Sequence, residues 1–259
     1  MTIKEKVEKG IKFCGAHVNL SDSIVTEIFA NLGYDFIWVD MEHTALAPQD
    51  VYHHIIAAKS AGVPVFVRVP VDDLTYAKKV LEMDIDGIIF PMVKDAAHAK
   101  ELLDITLYPP YGKRGCGPKG AIKYGIESEP DFYKENHIKK LCRFVQIELE
   151  SAANDVENIA ALPYLDGCVL GMYDLSGSFG KPGDVFCEEN LSLAKKSIKA
   201  FKEAGKTVGI STFSTEPKTL EMYNEWGINM ITVGADYVYV LEKGKETLEK
   251  MKDIFAEKQ

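Results

Sequence analysis

The sequence is poor in cysteine and contains no long apolar run. Its 259 residues include five cysteines, an odd number without any Cys-x-x-Cys pair. This usage predicts neither a disulfide framework nor a zinc site, and it is typical of a reducing cytoplasm. The N-terminus lacks the apolar core of a signal peptide, and no apolar stretch is long enough to cross a bilayer. We therefore expect a cytoplasmic protein that has no membrane partner.

Positive charge is also in short supply. The chain has 30 Lys and Arg residues against 39 Asp and Glu residues, and its net charge is −9. Because binding to a phosphate backbone requires clustered basic residues, we expect no nucleic-acid partner. A glycine-rich phosphate loop is missing after the first apolar run, which disfavours nucleotide chemistry.

The chain does contain a regular alternation of short apolar runs and segments of helical periodicity. This pattern is typical of repeated strand–helix units and a parallel sheet. Eight such pairs in this length favour a closed (β/α)8 barrel, the TIM barrel, as a single domain over residues 1–259. The predicted strands are 13–19, 36–41, 65–69, 87–91, 143–148, 167–171, 207–211 and 230–233. Predicted helices include 21–31, 48–61, 74–83 and 194–204.

Two acidic residues, Glu148 and Asp174, stand at the carboxyl ends of neighbouring predicted strands. Either one alone can form an ion pair or cap a helix. Together they follow stretches too apolar to solvate a charge, so an uncompensated pair would be costly. Hard cations such as Mg²⁺ and Mn²⁺ are typically held by one or two carboxylates together with water and substrate oxygens. The pair therefore predicts a divalent-metal site.

A second polar group is predicted at the same barrel mouth. Asp40, Glu42 and His43 end the second strand, Arg68 ends the third, and Gln146 precedes Glu148 on the fifth. Imidazole titrates near neutrality and a carboxylate can fix its tautomer, so His43 is a candidate general base. Arg68 can form an ordinary ion pair or stabilise negative charge on an oxygen during catalysis.

A Schiff base is the alternative to a metal ion for carbanion chemistry, and it requires a desolvated lysine on a strand. No lysine lies within the eight runs, and the nearest, Lys94, is expected to face solvent. Residues 108–137 contain too many prolines and glycines for a plain helix. Long segments of this kind are often lids or binding loops, so we expect the same here.

In the order and spacing of its motifs, the chain resembles the HpcH/HpaI aldolase family, and in particular its metal-dependent pyruvate aldolases. The motifs are Asp40-Met41-Glu42-His43, Val67-Arg68, Phe90-Pro91-Met92-Val93, Gln146-Ile147-Glu148 and Asp174-Leu175-Ser176. The resemblance implies a barrel of the phosphoenolpyruvate/pyruvate superfamily. It also implies a homohexamer, a trimer of dimers in which partners exchange the last helix.

The same resemblance assigns roles to individual residues. Glu148 and Asp174 match the ligands of a Mg²⁺, Mn²⁺ or Co²⁺ ion, His43 the base and Arg68 the stabiliser of the transition state. Gln146 and the backbone from Gly171 through Met172 and Tyr173 to Asp174 match the positions that hold the pyruvyl group. Glu82 matches the carboxylate that raises the basicity of the histidine, where aspartate is usual.

The implied reaction is the reversible cleavage of a 4-hydroxy-2-oxo acid to pyruvate and an aldehyde. Two positions depart from the family pattern: Met172 replaces a proline, and the 209–213 segment near the aldehyde site is unusually polar. Two alternatives stay open. One is a lyase of the citrate-lyase-β type that acts on acyl-CoA thioesters, and the other is a barrel that binds a 2-oxo acid without catalysis.

Overall fold

Eight parallel strands close into a barrel in the computed structural model, which describes residues 1–256. Each strand pairs with its neighbours in sequence order, and the eighth pairs with the first. The predicted (β/α)8 architecture is confirmed. The strands are β1 Phe13–Val18, β2 Phe36–Asp40, β3 Val65–Arg68, β4 Gly87–Phe90, β5 Cys142–Ile147, β6 Gly167–Leu170, β7 Thr207–Thr212 and β8 Met230–Val233.

The observed strand ends lie within one residue of the predicted ends, because buried apolar runs mark parallel strands clearly. The helices agree less closely: α11 begins at Glu188, well before the predicted start at residue 194. Acidic residues in its first turn favour that earlier start. The helices are α1 Ile3–Glu8, α2 Ile24–Leu32, α3 Pro48–Ser60, α4 Leu74–Leu81, α5 Ala96–Asp104, α6 Glu129–Asp131, α7 His137–Lys140, α8 Glu150–Asn154, α9 Val156–Ala160, α10 Met172–Ser178, α11 Glu188–Glu203, α12 Pro217–Glu225 and α13 Asp236–Ala256.

Aromatic side chains fill the lower interior of the barrel. Phe36, Phe66 and Phe144 are fully buried, and their rings are in contact around the barrel. Small residues make room for them: a Cβ added at Gly15 would lie 2.3 Å from the Phe36 ring. Because this apolar packing excludes water below, polar side chains inside the barrel are concentrated towards its carboxyl-terminal mouth.

The 108–137 segment lies at the opposite end from the mouth. It follows α5 and leads into β5, so it lies on the side of the barrel where the strands begin. Arg143, fully buried at the start of β5, donates to the carbonyls of His137 and Leu141 and fixes the segment there. Within this chain, the segment therefore does not form a lid over the barrel mouth. The prolines and glycines of the segment were recognised in the sequence, but helix α5, which lies between β4 and the segment, was not.

The last helix, α13, projects from the barrel. Every residue from Val240 to Ala256 is exposed, including apolar Leu241, Leu248 and Phe255. Across residues 1–256, none of the helices combines the length and apolarity required to cross a membrane.

Candidate active site

The centre of the mouth is a buried ion pair between the ends of β2 and β3. Arg68 Nε donates to Asp40 Oδ1 at 2.8 Å, and Arg68 Nη2 donates to Asp40 Oδ2 at 2.7 Å. This two-point geometry fixes the guanidinium plane. The register places Asp40 directly beside Arg68 in the parallel ladder. Burial disfavours the ionised carboxyl, but the neighbouring His17 and Arg68 side chains hold the pKa of Asp40 well below its usual range.

The free edge of Arg68 leads to the predicted metal ligand. Arg68 Nη1 donates to Gln146 Oε1 at 3.2 Å, and Gln146 Nε2 donates to Glu148 Oε2 at 2.7 Å. The backbone N–H of Met92 donates to the other oxygen, Glu148 Oε1. Arg68, Gln146 and Glu148, each buried, thus form a continuous hydrogen-bonded row across the mouth.

Gly171 permits Glu148 to occupy this position. A Cβ at Gly171 would lie 2.5 Å from Glu148 Oε2 and 2.6 Å from Glu148 Cβ. Gly171 is followed directly by α10, which carries Tyr173 and Asp174, both exposed, in its first turn. Met172, in place of the usual proline, is buried in the core, and Asn190 Nδ2 donates to its carbonyl at 2.9 Å. The methionine is accordingly well packed at this position.

Negative charge exceeds positive charge around Glu148. Burial raises the pKa of Glu148 to about 8, the charges of Glu42 and Asp174 act in the same direction, and Met92 N–H and Arg68 act against it. Burial likewise raises the pKa of Glu42, with Arg68 opposing and Asp174 adding to the rise. The three acids therefore interact, and one nearby guanidinium does not balance them.

The donor set fits a hard divalent cation. Glu148 and Asp174 offer carboxylate oxygens, and the raised pKa of Glu148 is the electrostatic strain that a bound cation relieves. Within residues 1–256, no group of three or more His, Cys, Asp and Glu side chains is arranged to hold a metal ion. A cation here would accordingly take its remaining ligands from water and substrate, as Mg²⁺ commonly does.

His43 lies at the rim, in the loop after β2, with 59% of its side chain exposed. Its Nε2 is 3.7 Å from Glu42 Oε2, which is itself 2.9 Å from Arg68 Nη1. Glu42 therefore lies between the candidate base, His43, and the guanidinium of Arg68. Of the two carboxylates expected near His43, Asp40 is hydrogen-bonded to Arg68 instead.

A family model described as HpcH/HpaI aldolase/citrate lyase matches residues 14–242. The chain belongs to this family. Among curated HpcH/HpaI relatives, it is 29% identical to the hydroxypyruvate/pyruvate aldolase of Roseobacter denitrificans, over 97% of each chain. It is 32% identical to the 2-keto-3-deoxy-L-rhamnonate aldolase of Escherichia coli, over 90% of this chain and 86% of that one.

The fold agrees with solved HpcH/HpaI structures. A family protein from Burkholderia cenocepacia superposes with a TM-score of 0.90 at 27% identity, over 96% of this chain and 98% of that one. The chain described by the present structure is thus a carbon–carbon lyase of the HpcH/HpaI family. The resemblance drawn from the sequence motifs is thus confirmed at the level of family, fold and enzyme class.

Glu82 is the predicted site residue of this HpcH/HpaI chain that the fold places elsewhere. It follows α4 at the amino-terminal side of the barrel, and its Oε1 accepts from Arg114 Nη2 at 3.0 Å. No ion pair or hydrogen bond joins it to His43 within the described residues. The expected support of the histidine by Glu82 is therefore not formed within this chain, because helices run back towards the amino ends of the strands.

Two features of the site escaped the sequence reasoning. Glu42 was named only as a neighbour of His43, yet it lies between that histidine and Arg68. His17 was not considered, although it lies on β1 beside the Asp40–Arg68 pair. The sequence feature that could have identified it is the alternation of Phe13, Gly15 and His17 along the first strand, which places all three side-chain positions on one face.

Proposed function

We propose that this lyase reversibly cleaves a 4-hydroxy-2-oxo acid to pyruvate and an aldehyde, and that it depends on a divalent metal ion. The observation that carries the proposal is the buried row from Arg68 through Gln146 to Glu148 beside two further carboxylates. It combines one fixed guanidinium with a cluster of carboxylate oxygens that would suit a metal ion. The names of the curated relatives, both aldolases of 2-oxo acids, support the same reaction class.

Glu148 and Asp174 would hold the metal ion, with Mg²⁺, Mn²⁺ and Co²⁺ as the candidates. When bound, such an ion acts as a Lewis acid that polarises the 2-oxo group of the substrate. Gln146 bridges Arg68 and Glu148, and its amide would hydrogen-bond the pyruvyl group. The first-turn amides of α10, at Met172 and Tyr173, lack intrahelical partners and suit a carboxylate.

The remaining steps belong to the side chains. His43, at the rim, removes the proton of the 4-hydroxyl group, and the C3–C4 bond then breaks to release the aldehyde. As the bond breaks, negative charge develops on the pyruvate enolate oxygen, and Arg68 stabilises this charge. The guanidinium does not have to reorient, since Asp40 fixes its plane. Condensation follows the same path in reverse.

We further propose a homo-oligomer, a hexamer built as a trimer of dimers in which partners exchange α13. The exposed apolar residues of this helix support the proposal, because a solvated helix of its length does not normally present Leu241, Leu248 and Phe255 to water. All five cysteines are free thiols, which supports a cytoplasmic location.

A panel assay tests the proposed reaction. Pyruvate release is measured from several 4-hydroxy-2-oxo acids, first in chelator and then with Mg²⁺, Mn²⁺ or Co²⁺ restored. We expect release only with metal, and loss of release in His43→Gln with metal binding retained. Undiminished release in chelator would contradict metal dependence.

The same panel separates the alternatives. Turnover of malyl-CoA or citramalyl-CoA without aldol cleavage would identify an acyl-CoA lyase instead. Proton exchange at the pyruvate methyl group in D₂O, followed by NMR, detects enolate formation even when the aldehyde partner is unknown. Binding of pyruvate with no exchange above background would identify a non-catalytic barrel.

A further inference from the structure

His17 is an ionisable side chain of the mouth to which the proposed reaction gives no role. It lies on β1, only 2% exposed, and its ring stacks on Trp38 with centroids 5.2 Å apart and planes 25° apart. Trp38 in turn lies beneath the guanidinium of Arg68, whose Cζ is 5.6 Å from the ring centroid. The imidazole is therefore held rigidly in the layer directly adjoining the arginine.

The groups on either side of the His17 ring indicate which ring nitrogen carries the proton. Thr232 Oγ1 donates to Ser211 Oγ at 2.8 Å, and Ser211 Oγ lies 2.9 Å from His17 Nδ1. Because Ser211 accepts from Thr232, its own proton is available for Nδ1. The carboxylate of Asp40, which can only accept, lies on the Nε2 side of the ring, so this arrangement favours a neutral His17 with its proton on Nε2. Burial lowers the pKa of His17, with Asp40 opposing, so the neutral ring is the stable form.

The Nε2 side of the His17 ring faces the carboxylate of Asp40. Among residues 1–256, His17 Nε2 is buried without a hydrogen-bond partner, and Asp40 Oδ2 lies 3.6 Å from it. This separation is longer than a hydrogen bond, and at this distance the N–H dipole interacts with the carboxylate charge. The same oxygen, Asp40 Oδ2, accepts from Arg68 Nη2, while Asp40 Oδ1 accepts from Arg68 Nε and from the N–H of Glu42.

We propose that His17 is a positioning residue for Arg68. Its Nε2–H group restrains the Asp40 carboxylate, and Asp40 thereby keeps the arginine plane directed at the enolate oxygen. The chain Thr232–Ser211–His17–Asp40–Arg68 thus connects β8, β7, β1, β2 and β3 around one side of the mouth. The kinetic consequence rests on the proposed aldolase function, whereas the tautomer and the contact with Asp40 do not.

Two substitutions test this role. His17→Phe keeps the ring on Trp38 but removes the N–H group, and His17→Gln returns an N–H donor at similar reach. We expect His17→Phe to lower kcat for aldol cleavage by roughly 10- to 100-fold, the usual cost of losing an outer partner of a site residue, with KM little changed. His17→Gln should recover most of that loss. A change in KM without a change in kcat, or equal kcat values in the Phe variant and the wild type, would overturn the proposal.

His54 provides the matched control. It is also a fully buried histidine whose Nδ1 meets a hydroxyl, that of Thr26 at 2.7 Å, but it lies between α2 and α3. His54→Phe should lower the melting temperature about as much as His17→Phe and leave kcat unchanged. If both variants lose kcat in proportion to stability, His17 is merely structural and the proposal fails.

A double-mutant cycle tests whether His17 acts through the arginine. In an Arg68→Lys background, the lysine cannot form the two-point bond to Asp40, so adding His17→Phe should change kcat little further. Additive losses in the cycle would overturn the proposal.

The tautomer is tested without any substrate. ¹⁵N NMR of histidine-labelled protein should show His17 with a protonated Nε2 and an unprotonated Nδ1 at neutral pH, and Ser211→Ala should alter the Nδ1 signal. An Nδ1–H tautomer or an imidazolium would overturn the proposal, even if the aldolase reaction were confirmed. Conversely, failure of every aldol substrate with the expected tautomer intact would refute the proposed function and leave the contact established.

Discussion

Asp40 and Arg68 form a buried ion pair whose two hydrogen bonds, of 2.8 and 2.7 Å, set the plane of the guanidinium at the mouth of the barrel. The pair arises from the parallel register, which places the last residues of β2 and β3 side by side. A charge in this position would be costly to bury alone, and each partner offsets part of that cost for the other. The third nitrogen of Arg68 remains directed towards Gln146 and Glu42.

Arg68→Lys should therefore lower kcat for aldol cleavage by roughly 100-fold or more, the scale expected for loss of a fixed group that stabilises negative charge on oxygen. A lysine retains the positive charge but cannot form both bonds to Asp40. The measurement is steady-state cleavage together with pyruvate methyl exchange, and both should fall.

Arg143→Lys is the control, because Arg143 is equally buried but lies at the amino ends of the strands, where it donates to Thr106 and backbone carbonyls. It should lower the melting temperature while the folded enzyme keeps its kcat. Wild-type kcat in Arg68→Lys would refute the role given to the arginine.

The sequence predicted the barrel almost completely, because apolar runs of strand length, separated by helical periodicity, are local signals. It also brought Arg68, Gln146 and Glu148 together correctly, since strand ends meet at one mouth. It could not assign Asp40 to Arg68 rather than to His43, because that choice depends on the register and on which side chains face inward. The position of Glu82, away from His43 within this chain, was unpredictable for a similar reason: its contact with Arg114 depends on the path of the 108–137 segment.

Gly171→Ala should weaken metal binding. The added Cβ would lie 2.5 Å from Glu148 Oε2, closer than real contacts allow, so the carboxylate must move. We expect roughly a 10- to 100-fold loss of metal affinity, by analogy with other residues that orient metal ligands. Calorimetric titration with Mn²⁺ measures it.

Gly177→Ala, in the same helix, is the matched control for Gly171→Ala. There the nearest atom, Pro182 Cβ, is 3.9 Å from the added Cβ. This substitution should leave metal affinity unchanged and stabilise the helix slightly. Equal metal affinity in the two variants would show that the space beside Glu148 is unimportant.

Metal binding should strengthen as pH rises. Burial raises the pKa of Glu148 from its usual 4.5 to about 8, so in the metal-free protein this carboxyl is mainly protonated at neutral pH. A cation must displace that proton, and affinity should rise about tenfold per pH unit below pH 8 and then level off. Titrations with Mn²⁺ between pH 6 and 9 measure the slope.

The same shift makes a prediction for stability. Since the folded state holds the Glu148 proton more tightly than the unfolded state does, the metal-free protein should lose stability as pH rises from about 4.5 through about 8. Glu148→Gln should remove both the metal binding and this part of the pH dependence, whereas Glu150→Gln, at an exposed neighbouring position, should change neither. A metal affinity independent of pH in the wild type would contradict the assignment of Glu148 as a ligand.

Leu248→Glu should disrupt the proposed oligomer. Leu241, Leu248 and Phe255 recur at intervals of seven residues along α13 and form one exposed apolar stripe. A carboxylate placed in that stripe would have to be buried when a partner covers the helix, and this desolvation is costly. The molar mass measured by light scattering during gel filtration should therefore fall. Lys250→Glu places the same carboxylate on the other face of the helix, beside Glu246, and changes the net charge by more, yet it should leave the mass unchanged. If Leu248→Glu keeps the wild-type mass, the stripe is not the surface that joins the subunits.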